Sequence, residues 1–217
     1  MHGPTADVSR EPPGDPGERV HTLGDGGRIL VRALRASDRD QLAAGYEELS
    51  SLSRRLRFFN PPEHLSGRLL DYLVDIDGCN HFALGAQAID EPGQPGVGVA
   101  RFARDRRDPS CAEAAVTVLE SHCNRGIGTI LLVSLVDEAL ANGITTFTAS
   151  VMWENQALLD GLRAYGAVVV PAEPGVASVS VALPPGAKEC EGVFPTTPRR
   201  IVPQPAGGWR SASSRSR

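Results

Sequence analysis

Residues 112–142, AEAAVTVLE-SHCNRGIG-TILLVSLVDEALAN, decide how this chain is read. The first nine are mostly small and β-branched and suit a buried strand. The last fourteen are leucine-rich at helical spacing, and Gly126-Ile127-Gly128 sits between them as a turn. A helix that starts directly on such a turn presents backbone N–H groups with no partner inside the helix. Without Cβ atoms, Gly126 and Gly128 let a bulky anion approach the backbone, and the helix dipole favours negative charge there. Arg125 adds a formal positive charge beside it. The expected guest is a phosphate or pyrophosphate held by the N–H groups of Arg125, Gly126, Ile127, Gly128 and Thr129. The bland alternative is a tight turn and nothing more. A P-loop is excluded because no Lys-Ser/Thr pair follows, and a dinucleotide fingerprint because Leu131 replaces its third glycine.

Strand, Cys123-Asn124-Arg125-Gly126-Ile127-Gly128 and leucine-rich helix together resemble the acetyl-CoA motif Q/R-x-x-G-x-G/A of the GNAT superfamily of N-acetyltransferases. Cys123 departs from it, standing where Gln or Arg is usual. A second block, Trp153-Glu154-Asn155 followed eleven residues after the Asn by Gly166-Ala167, resembles that family's later E-N…G-F/A segment. The fold implied is α/β: a central mixed, mostly antiparallel sheet flanked by helices on both sides.

The remaining chain fits one domain over residues 20–183. The length of 217 residues allows a sizeable core. No apolar run reaches bilayer-spanning length and residues 1–19 lack the apolar centre of a signal peptide, so a cytoplasmic protein without a membrane partner is expected. Cys79, Cys111, Cys123 and Cys190 show no C-x-x-C spacing and read as thiols, with no metal site. Net charge of −4 argues against general nucleic-acid binding. Residues 1–19 and 184–217 have the proline-rich, weakly apolar composition of disordered ends, the second with six basic and two acidic residues.

In order, the domain reads as a hairpin over His21–Leu34 and a helix capped by Ser37 that ends near Ser50. A helical face over 64–74 follows, then antiparallel strands at 81–89 and 96–104. Beyond the decisive stretch come a strand at 145–151, a helix at 155–165 and two short strands. His81 is either an acid/base group or a plain rim histidine. In Ser51–Asn60 (SLSRRLRFFN), arginines interleave with aromatics, and the expected arrangement is aromatics inward and arginines in water. The segment is similar to S-x-x-S-R-x-L-R-F-F of the bacterial protein lysine acetyltransferases of the same superfamily, including the cyclic-AMP-regulated mycobacterial type. The regulatory domain of that type has no room in these residues.

The resemblance implies acetyl-CoA as cosubstrate, protein lysines or small amines as acceptors, and a pantetheine arm paired with Val116, Thr117 and Val118. The Val118 N–H would polarise the thioester carbonyl, and Asn155 matches an Asn that contacts CoA. Glu113 lies in an otherwise apolar strand where partial burial would raise its pKa, and it matches the proposed catalytic glutamate of the lysine acetyltransferases. Glu120 is the reserve base and reads as solvated. Leu162 occupies the position of a frequent tyrosine acid, with Tyr165 three residues on. The rival readings are a small-molecule amine acetyltransferase and an acetyl-CoA-binding module with weak turnover.

Overall fold

The computed structural model describes residues 17–184. The expectations for the two ends therefore lie outside the described residues, apart from the short overlap: Arg19 already belongs to the first strand, and Glu18 pairs with Arg35 at 3.0 Å.

The hairpin is β1 (Arg19–Thr22) and β2 (Arg28–Ala33), turned by Asp25, whose Oδ1 accepts from the Gly27 N–H at 3.0 Å. Three short helices follow: α1 (Arg39–Glu48), α2 (Ser51–Phe58) and α3 (Gly67–Val74). Ser50 and Ser66 cap α2 and α3, each hydroxyl accepting an N–H three residues on. Ser37 does not cap α1. It lies inside a 3-10 turn, Ala36–Asp38, and the capping position falls to Asp38. The Asp38 carboxylate is taken by the Arg32 guanidinium, with two bonds of 2.7 Å, and by the Arg35 N–H.

β3 (His81–Ala88), β4 (Gly96–Arg104) and β5 (Cys111–Val118) form the antiparallel centre. Helix α4 (Ile127–Ala141), strand β6 (Thr146–Met152), helix α5 (Gln156–Ala164) and strands β7 (Val168–Pro171) and β8 (Val176–Ala182) complete the chain. One eight-stranded sheet results, in the order β1-β2-β3-β4-β5-β6-β8-β7, with β5–β6 its parallel pair. This is the expected mixed, mostly antiparallel sheet.

Even-numbered β5 residues Ala112, Ala114, Val116 and Val118 join Ile127, Leu131 and Leu135 of α4 in the main core. Leu131 and Leu135 are fully buried, and each contributes about 2 kcal/mol by leaving water. Helices α1–α3 cover the opposite face of β3–β5, while α5 seats Leu158 and Leu159 against Val151 and Val179 at the β6–β8 end. Among the described residues no helix is long and apolar enough to cross a membrane.

Candidate active site

The ladder between β5 and β6 is short: Cys111 opposes Thr146, Ala112 opposes Phe147, and Glu113 opposes Thr148. Beyond it β5 stays paired with β4 and β6 with β8, so the two strands part and leave a wedge between them. Alternation decides which groups face it. The Leu119 N–H donates to the Val97 carbonyl and the Asp105 N–H to the Cys111 carbonyl, both at 2.9 Å, so odd-numbered residues turn their backbone toward β4. Val116 and Val118 therefore turn theirs into the wedge. Thr117 does not: its backbone faces Val99, and its side chain lines a cavity on the α1–α3 face. Of the three strand residues expected to hold a pantetheine arm, alternate ones have the geometry for it. Cys123 folds back on the same strand, its Sγ 3.8 Å from the Val118 carbonyl oxygen.

The wedge ends at the turn before α4. Gly126, at φ +88°, occupies the N-cap in the left-handed region, and no side chain caps the helix. The first backbone bond of α4 runs from the Ile130 N–H to the Gly126 carbonyl. The N–H groups of Ile127, Gly128 and Thr129 thus have no place in the helical ladder. A Cβ added at Gly126 would meet nothing within 4 Å, and one at Gly128 would meet only Val118 Cγ2 at 3.7 Å. Open space over uncapped donors fits the pyrophosphate of CoA. Ile127, 1% exposed, anchors the turn from beneath.

Arg125 does not lend this turn its charge as the sequence suggests. Its Nε donates to Asp25 at 2.6 Å and its Nη1 to Glu91 at 3.5 Å, so the guanidinium ties the β1–β2 and β3–β4 loops to the turn. His122, beside it, bonds Glu91 at 2.9 Å and Ser121 at 2.8 Å.

Glu113 is half-buried and shares a strand face with Ala115 and Thr117, where its charge favours the protonated state of Arg57. Glu120 is not the solvated group expected. Its Oε1 accepts from the Ser50 N–H at 3.1 Å and the Ser50 hydroxyl at 2.5 Å, and its Oε2 is buried. Burial pushes its carboxyl up, but hydrogen bonds from Ser50 and Ser53 outweigh that and hold it below the ordinary range. It clamps the start of α2 to the end of β5.

Asn155 lies buried at the N-cap of α5 on the far arm of the wedge. Its carbonyl accepts from the Leu158 and Leu159 N–H groups. Leu162 packs with the β6–β8 core, and Tyr165 sits at the C-cap of α5, where burial raises its phenol.

The arginine-rich segment follows the expectation at Phe58, which packs against Tyr46 and Leu49, and at exposed Arg55, and departs from it at Arg57. Arg57 is buried at 6% exposure, Arg54 bonds the carbonyls of Leu49, Glu47 and Glu63, and Arg55 pairs with Glu154. Arg101 of β4, which sequence reasoning passed over, is 8% exposed. One of its N–H groups donates to His81 Nε2, and Tyr72 stacks on that imidazole at 4.9 Å. Burial first, then Arg101, lowers the His81 pKa, so the ring acts as a neutral acceptor. A run of SxxRRLR offered the signal for Arg57, since Ser53, Leu56 and Arg57 share one helical face.

A sequence profile of the Acetyltransferase (GNAT) family matches residues 46–163. An acetyltransferase of Pseudomonas aeruginosa is 32% identical over 149 residues, covering 69% of this chain and 80% of that protein. The acetyltransferase Pat of Mycolicibacterium smegmatis is 32% identical over 166 residues, 72% of this chain, which spans only 46% of its length. Among solved structures, the GNAT domain of S. lividans PAT superposes with a TM-score of 0.68 at 26% identity, covering 76% of this chain and 97% of that domain.

Proposed function

Because the chain belongs to the GNAT acetyltransferase family and uses acetyl-CoA as its cosubstrate, we propose that it transfers the acetyl group to lysine side chains of proteins, such as acyl-CoA synthetases, by direct attack in a ternary complex. The observation that carries the site assignment is the parting of β5 and β6 immediately after Glu113 and Thr148. It turns the backbone groups of Val116 and Val118 toward a wedge that leads to the uncapped start of α4.

Acetyl-CoA supplies an activated thioester. The N–H groups of Arg125 to Thr129 hold its pyrophosphate, and the Val116 and Val118 backbone pairs with its pantetheine as an added strand would. The Val118 N–H stabilises the negative charge that develops on the carbonyl oxygen. Glu113 takes a proton from the acceptor's ammonium, directly or through a water, and the neutral amine then attacks the thioester carbon to form the C–N bond, its nitrogen giving up a second proton to solvent as the intermediate collapses. The C–S bond breaks and the thiolate takes a proton from water. Asn155 closes the far side.

The lysine acceptor is supported by the likeness of α2 to the corresponding segment of lysine acetyltransferases and by the identity to Pat. A small-molecule amine acceptor is the second reading, favoured by a cavity on the α1–α3 face that Arg32, Arg57 and Arg101 help to line. Initial rates of CoA release from acetyl-CoA, measured with a cell extract and with a panel of free amines, separate the two. Acetyl-lysine on extract proteins supports the first, and release with free amines alone moves the acceptor to small molecules.

A further inference from the structure

The cavity on the α1–α3 face of β3–β5 measures about 110 Å³, and its wall is mostly apolar. Four charged residues line it: Arg32, Asp38, Arg57 and Arg101. Arg32 and Asp38 neutralise each other through their two-pronged bond. Arg57 and Arg101 have no such arrangement. Each lies more than nine-tenths buried, and their charges oppose one another. Among the described residues, Glu113 is the carboxylate whose charge acts on Arg57, while Arg101 acts against it.

One N–H group of Arg101 reaches the Leu73 carbonyl at 3.3 Å and His81, and its guanidinium lies 5.7 Å from the centre of the Tyr72 ring. Arg57 lies over the Phe58 ring at 5.2 Å, and its Nη1, fully buried, has no partner among the described residues. Burial first, and Arg101 second, bring Arg57 down to about 9, and burial brings Arg101 down to about 10, so both are charged at neutral pH. A buried guanidinium with an unmade bond is costly, and a fork of this geometry matches a carboxylate or phosphate.

We propose that this cavity binds an anionic group, a carboxylate or a phosphate, carried by the acceptor, with Arg57 as its main partner and Arg101 fixed beside it by His81 and Tyr72. The anion site follows from the cavity alone, whereas its being part of the acceptor rests on the acetyl-transfer reading. The acceptor class then narrows to amines presented together with a negative charge, which for a protein lysine is an acidic or phosphorylated residue flanking it.

The full chain, saturated with CoA so that the α4 turn is filled, is titrated calorimetrically with glutarate, with the neutral glutaramide and with inorganic phosphate. Glutarate or phosphate is expected to bind at least about tenfold more tightly than glutaramide, the size of a charge-assisted hydrogen bond. Which of the two binds better tells carboxylate from phosphate. Arg57→Met is expected to abolish that difference while CoA still binds. Should Arg57→Met fail to fold, the comparison of glutarate with glutaramide on the unmutated chain decides alone. Equal affinity for glutarate, phosphate and glutaramide, or anion affinity unchanged in Arg57→Met, overturns the site. Anion binding without acetyl transfer to any amine overturns the acceptor role and leaves the site standing.

Discussion

Glu113 stands opposite Thr148 on the last rung joining β5 to β6, one residue before the strands part. A carboxylate at that fork shares the strand face of Ala115 and Thr117 and lies within the electrostatic reach of Arg57. Glu113→Gln keeps the shape and removes the base. CoA release at saturating acetyl-CoA and acceptor is expected to fall by at least about tenfold, with affinity for acetyl-CoA unchanged. Stopped assays on the two proteins check this, and an unaltered rate would take Glu113 out of the chemistry.

Gly128 separates stability from function. Its first added carbon would make an ordinary contact with Val118, so Gly128→Ala is accommodated. Helix propensity alone favours the variant by up to about 1 kcal/mol. The methyl group would nonetheless stand over the N–H groups of the turn. Thermal unfolding is therefore expected to be unchanged or raised, while KM for acetyl-CoA rises several-fold. An unchanged KM would move the pyrophosphate elsewhere.

The strand, turn and helix of residues 112–142 were legible because their signals are local: a glycine pair marks the turn, and leucines at helical spacing mark the buried helix. What was not legible depends on partners far away in sequence. Asp25, 100 residues from Arg125, takes the charge that the sequence assigned to the anion site. Glu120 meets Ser50 across 70 residues, and Arg101 meets His81 across a strand pair. Ser37 has the residue type of a cap, but the cap position falls to Asp38, whose carboxylate is held by Arg32 from across the strand–turn junction.

Glu120 serves the packing of α2 rather than proton transfer. Glu120→Gln keeps one oxygen as an acceptor but weakens the bonds from the Ser50 N–H and hydroxyl. Stability is expected to drop by about 1 kcal/mol, the usual worth of a charge-assisted capping bond over a neutral one. The rate of acetyl transfer should change less than about twofold, measured below the unfolding temperature. A tenfold loss with intact folding would restore Glu120 as a base.

Arg125 is bound to two carboxylates, so its charge is already neutralised where the turn begins. Arg125→Gln is expected to raise KM for acetyl-CoA by less than about threefold, because its contribution to the cosubstrate is a backbone N–H that Gln retains. An increase of tenfold or more in steady-state assays would mean that the guanidinium leaves Asp25 for a phosphate.

Asp38 and Arg32 set the acid limit of this half of the molecule. The pair is nearly dry, with side chains 7% and 12% exposed, and bonded twice at 2.7 Å. The Arg32 bond, aided by the Arg35 N–H and the charges of both arginines, outweighs burial and holds the Asp38 carboxyl below the usual carboxylate range. A carboxyl depressed on folding contributes stability above its unfolded pKa, about 4, and loses that contribution as pH falls through the lower folded value. Asp38→Asn leaves a buried guanidinium without its counter-ion, so urea unfolding at pH 7 is expected to lose about 3 kcal/mol. The difference between the two proteins should stay level from about pH 5 to 8 and narrow only below about pH 4. Replacing both partners, Arg32→Met with Asp38→Leu, should recover most of the loss, because the penalty comes from the stranded charge and not from the missing bond. A double variant as unstable as Asp38→Asn would instead mean that Asp38 acts chiefly by accepting the Arg35 N–H at the start of the 3-10 turn that leads into α1.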